Sequence, residues 1–162
     1  MHDIQEVKAA LARDFRSAGF KGSRTMWNKK GASVAWVCHI DRSPFGPQLY
    51  IDVGLTFNPE NPPRLPGDCD IICRIESLVR SCSTPPFAED EFDLEASDVY
   101  QALDMESTLY WEQRLGYLEA TIQALGYYVD RRMTLDAVRD AHAAGEFRQY
   151  VSREARRLLE EQ

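Results

Sequence analysis

The chain has 162 residues, 44% of them hydrophobic and 10% aromatic, and carries 26 acidic against 19 basic side chains, a net charge of −7. That length and apolar content suit one folded domain and exclude a disordered chain. The acidic balance argues against general nucleic-acid binding and membrane-surface attachment, which both draw on excess Lys and Arg.

The first element reads as an amphipathic helix. Ile4, Val7, Leu11, Phe15 and Ala18 recur at spacings of three and four and so share one face. Asp3 is placed to cap its start, and Gly19 supplies the left-handed residue that ends it. The period then changes from 3.6 to 2. Residues 20–28 read as a strand, followed by a hairpin loop at Lys29-Lys30-Gly31. The strand over 33–41 puts Val34, Trp36, Cys38 and Ile40 on one face. The strand over 48–57 does the same with Leu49, Ile51, Val53, Leu55 and Phe57.

Register follows from matching these faces. Pairing about Lys30 sets Met26 opposite Val34 and Phe20 opposite Ile40. Pairing across the turn at residues 42–47 sets Cys38 opposite Ile51 and Trp36 opposite Val53. A proline-rich loop at residues 58–67 leads to residues 69–79. There Cys69, Ile71, Cys73 and Ile75 alternate as in a fourth strand, while Ile71, Ile75, Leu78 and Cys82 also satisfy a helical period. The β-branched content favours strand.

The remainder reads as helical. Trp111, Leu115, Leu118, Ile122, Leu125 and Val129 form a long seam. Thr134 caps a short helix through Leu135, Val138 and His142, closed by Gly145. A last helix carries Phe147, Val151, Leu158 and Leu159. The expected class is α+β in a single domain over residues 1–162. It comprises a helix and a four-stranded antiparallel meander (1–80), an acidic connecting segment (81–113) and a helical part (107–162).

The net charge is local. Residues 81–113 hold nine acids (Glu89, Asp90, Glu91, Asp93, Glu95, Asp98, Asp104, Glu106 and Glu112) and no Lys or Arg, while the rest of the chain balances to +2. Such a run is either a solvated face or a docking strip for a basic protein. Glu89, Asp90, Glu91 and Asp93 are the candidate partner-binding residues. The aromatics Tyr110, Trp111, Tyr117, Tyr127 and Tyr128 read first as core.

The familiar catalytic and phosphate-binding motifs are absent. Cys38, His39, Cys69 and Cys73 come nearest to a metal set, but adjacent strand residues point to opposite faces and the CxxC spacing is missing. The cysteines read as small hydrophobes, reduced in the cytoplasm expected for a chain whose start lacks a signal-like pattern. No metal or cofactor is expected. On the polar sheet face the expected register sets His39 opposite Tyr50 and diagonal to Asp52. That cluster is suited to acid–base work or ligand binding. Arg24, Lys29, Lys30 and Trp27 form a small basic, aromatic patch suited to touching phosphate and stacking a base, but loops with two lysines are commonplace and the acidic total opposes nucleic acid, so no nucleic-acid partner is expected.

The order of Phe15, Gly19-Phe20-Lys21, Trp27-Asn28, Ile40-Asp41-Arg42-Ser43, Tyr50-Ile51-Asp52-Val53-Gly54, Cys69 and Arg74-Ile75 resembles a bacterial family known as domain of unknown function 4304. The resemblance covers about the first 80 residues. It implies a small stand-alone bacterial protein and carries no activity or catalytic residue with it. Two functions therefore stand as expectations. The first is a non-enzymatic, immunity-like interaction module that uses the acidic strip. The alternative is a small-ligand or enzymatic domain around His39, Tyr50 and Asp52.

Overall fold

A computed structural model describes residues 3–82 and 94–161, the side chains of residues 79–82 excepted. Helix α1 (Ile4–Ser17) opens on a reciprocal capping box. The Glu6 N–H donates to Asp3 Oδ1 and the Asp3 N–H to Glu6 Oε2, both at 2.9 Å. Val7, Leu11 and Phe15 are buried along its inner face, and the chain leaves it through Gly19 at φ +88°.

The stretch expected as one strand over 20–28 is two. Strands β1 (Lys21–Ser23) and β2 (Met26–Lys30) pair across a tight turn in which Arg24 takes φ +56°. This break changes the register against β3 (Ala35–Arg42): Met26 faces His39 and Trp27 faces Cys38. The difference from the expected Met26–Val34 pairing is an odd number of positions, so the faces of β2 exchange. Trp27 turns inward, 1% exposed, and stacks on Phe15 with ring centroids 5.4 Å apart and planes 3° from parallel. Its Nε1 donates to the Arg24 carbonyl at 3.1 Å. Burying an indole with its N–H satisfied outweighs burying Met26.

Strand β4 (Leu49–Thr56) pairs with β3 two positions further along than expected: Cys38 faces Val53, Trp36 faces Leu55 and Val37 faces Gly54. An even shift keeps every side chain on its expected face. Residues 69–79 divide between both of their periodicities. Strand β5 (Ile71–Arg74) ladders onto β4, and helix α2 (Ile75–Cys82) begins where that ladder stops. A further strand, β6 (Tyr150–Val151), pairs with β5 inside the stretch expected as the last helix. That helix, α6 (Arg153–Glu160), starts only at the Ser152 cap. The sheet among the described residues is thus six-stranded rather than four-stranded, antiparallel throughout and in sequential order β1 to β6.

Helices α3 (Ala96–Leu103), α4 (Trp111–Asp130) and α5 (Leu135–Ala143) complete the α+β fold. Thr134 caps α5 as expected, its hydroxyl accepting from the Ala137 N–H at 3.2 Å. The core lies between the helices and one sheet face. Trp36, Cys38, Ile40, Leu49, Ile51, Val53, Leu55, Ile71 and Cys73 meet Phe15 of α1 and Leu118, Ile122, Leu125 and Tyr128 of α4. Trp36 and Tyr128 make an edge-to-face pair at 6.0 Å. No described helix is long and apolar enough to cross a membrane.

The opposite sheet face is roofed at one end by the proline-rich loop and its short 3-10 turn at Pro66–Asp68. Gly54 permits this seat. A Cβ there would lie 2.7 Å from Cys69 Sγ and 2.8 Å from Pro66 Cα. The Phe57 N–H donates to Asp70 Oδ2 and the Asp70 N–H to the Leu55 carbonyl, both at 3.0 Å, pinning the two ends of the loop together.

Candidate functional site

The other end of that face carries the polar cluster. The register places Asp52, rather than Tyr50, directly opposite His39, with Tyr50 opposite Asp41. On the far side Asp52 faces Arg74 of β5. Arg74 Nε lies 3.4 Å from Asp52 Oδ1, and the guanidinium sits 3.8 Å from the Tyr50 ring centroid. Burial pushes the Asp52 carboxyl above its usual range, aided by Asp41 and opposed by Arg74 and His39. No hydrogen bond joins His39 to Tyr50 or Asp52 among the described residues. Tyr50 and Asp52 are therefore both engaged by Arg74, which sequence reasoning did not place in the cluster. Its alternation with Ile71 and Cys73 put it on this face, but only the β4–β5 pairing brings it to Asp52.

Of the acidic candidates, Glu89, Asp90, Glu91 and Asp93 lie outside the described residues. The described part of that segment is anchored to the β3–β4 turn. Asp104 bridges Gln48, the Met105 N–H donates to the Pro47 carbonyl at 2.7 Å, and Gln48 Nε2 donates to the Tyr100 carbonyl at 3.2 Å. Arg114, buried just beyond the segment, donates through Nε to the Ala102 carbonyl at 2.8 Å and through Nη2 to that of Asp104 at 2.9 Å. It closes the C-terminal end of α3, whose carbonyls have no helical donors. Burial pulls its pKa down, and Asp104 opposes the shift.

This anchoring holds exposed aromatics on connected elements. Phe45 at the tip of the β3–β4 turn is 97% exposed, Tyr110 at the N-cap of α4 is 82% exposed, and Tyr100 on α3 is 51% exposed. Glu95, Glu106 and Glu112 beside them in sequence are exposed as well. Tyr110, expected in the core, is on the surface, whereas Tyr128 is fully buried. Tyr110 precedes the first turn of α4, so the helical seam that begins at Trp111 does not draw it inward. Phe45 had no periodic signal at all, because it sits in a turn.

The remaining candidates separate. Cys38 lies in the core, where burial raises its thiol pKa far above the usual value. Burial likewise pushes Cys69 and Cys73 up to about 12, and none of the three is in a disulfide. No group of three or more His, Cys, Asp or Glu among the described residues is arranged to hold a metal ion. The basic patch is divided by the strand: Trp27 and Lys29 turn inward, Lys30 outward. Lys29 Nζ lies 2.7 Å from both the Ala18 carbonyl and Asp130 Oδ1. Comparison with models of protein families, with curated proteins and with solved structures finds no match to this chain.

Proposed function

We propose that the protein is a non-enzymatic interaction module that takes a basic protein partner on its acidic, aromatic end. The observation that carries this reading is the exposure of Phe45, Tyr100 and Tyr110 on elements tied together through Gln48, Pro47 and Met105, beside a segment rich in acids and free of Lys and Arg. Rigidly presented aromatics supply the apolar centre of an interface, and surrounding carboxylates steer a cationic partner and fix its orientation. Charge complementarity of this kind suits an immunity-like inhibitor of a basic protein. Membership of the family known as domain of unknown function 4304 belongs to the same proposal.

The reading built on His39, Tyr50 and Asp52 is weaker, because Arg74 already neutralises Asp52 and covers Tyr50. Low-salt capture of partners, repeated with Glu89, Asp90, Glu91 and Asp93 changed to Lys, tests the proposal. A basic protein retained by the wild type and lost by the variant is expected. Equal retention, or the absence of any partner at low salt, contradicts it.

A further inference from the structure

We infer that the cleft between β2 and the proline-rich loop binds a small organic anion, a single flat apolar group bearing a carboxylate or phosphate. The cleft has a volume of about 160 Å³. Its floor is the outer face of the sheet, with Met26, Asn28 and Lys30 from β2 and Val37 from β3. Its wall is Pro62, Pro63 and Arg64. A cavity of ~150 Å³ admits a benzene ring, so the space takes one six-membered ring and leaves its substituent at the rim.

The rim is cationic. Lys30 and Arg64 are exposed, and among the described residues no acidic side chain lines the cleft. Among the described residues, neither cation, nor the Asn28 amide, has an ion pair or side-chain hydrogen bond. This separates them from Lys29, Arg74, Arg114 and Arg132, which are each committed to internal partners. An Arg fork and a Lys point charge lining one cleft beside Met26, Val37 and two prolines match a carboxylate or phosphate on an apolar body. The wall is pre-organised. Two consecutive prolines restrict its backbone, and the loop is seated on Gly54 through Pro66 and Cys69, so little ordering remains to oppose binding. His39, Tyr50 and Asp52 do not line this cleft, and the inference is independent of the acidic end.

The test is an amide-resolved NMR titration of the whole chain with phenyl phosphate and with benzoate, and with inorganic phosphate as the reference. Saturable shifts centred on Asn28, Lys30 and Val37 are expected for at least one aryl anion, with a Kd of about 1 mM or tighter. The better of the two identifies the headgroup. The double variant Lys30→Glu, Arg64→Glu alters exposed side chains, so the fold is retained while affinity falls about tenfold or more. Val37→Phe fills the floor and abolishes binding. Shifts that do not saturate, that inorganic phosphate reproduces with equal affinity, that centre on His39 and Asp52, or that persist in the double variant would each overturn the inference.

Discussion

Arg132 and Glu146 form a bidentate ion pair, Nε to Oε2 at 3.2 Å and Nη2 to Oε1 at 2.6 Å, with the Arg132 side chain 7% exposed. The pair joins the residues following α4 to those following α5. Arg132 also donates through Nη1 to the Tyr128 carbonyl at 2.9 Å and lies 3.5 Å from the Tyr128 ring centroid. Its own carbonyl accepts from Trp36 Nε1 at 2.9 Å. Removing one partner leaves a buried charge uncompensated, so Arg132→Met should cost about 3–5 kcal/mol. The double variant Arg132→Met, Glu146→Leu should recover part of that loss. Urea unfolding midpoints decide it: a single variant no less stable than the double would contradict the assignment.

Asp14 gives the fold a pH dependence of unusual sign. It is buried on α1, its Oδ2 has no hydrogen-bond partner among the described residues, and Arg13 Nε is 3.8 Å from its Oδ1 on an exposed side chain. Burial raises its pKa from 3.8 to about 6, with Arg13 opposing the shift and Glu119 of α4 adding to it. Between those values the native state holds a proton that the unfolded chain releases. This site's contribution therefore lowers stability as pH rises through that window, by about 1–3 kcal/mol in total. Asp14→Asn should flatten this slope and unfold at higher urea than the wild type at pH 7.5. Parallel slopes for the two proteins would refute it.

Gly54 tests the seating of the proline-rich loop. Gly54→Ala forces Cys69 and Pro66 away from the sheet, at a cost of about 1–3 kcal/mol. Amide shifts should move around residues 66–69 and along the wall of the cleft, while α1 and α4 stay unchanged. An Ala variant with wild-type stability and spectra would mean that the loop does not rest on this face.

These outcomes bear on what the sequence could and could not convey. The Asp3 cap, the seam of α4 and the Thr134 cap were legible because each is a local pattern of a few side chains. The register of β2 was not, since it depended on a turn whose left-handed residue is Arg24 rather than a glycine and on where one indole could be buried. Strand β6 spans two residues, too few to show a period, and exists because β5 offers Ile71 and Ile72 as partners. His39 and Asp52 were correctly assigned to one face, yet their direct opposition and the intrusion of Arg74 required the ladder. The acidic segment was visible by charge alone. Its aromatic companions at Phe45 and Tyr110 were not, because exposure follows from what the neighbours leave uncovered.

The acidic, aromatic end of the molecule is probed most sharply by the affinity of the purified chain for a captured basic partner. Calorimetric titration should be run at low and moderate salt for the wild type and for Phe45→Ser with Tyr110→Ser. Both substitutions are at exposed positions, so unfolding midpoints should change by no more than about 0.5 kcal/mol. The expected complex weakens with salt and loses about tenfold or more in affinity when the two aromatics are removed. Affinity unchanged in the double variant and insensitive to salt would contradict it.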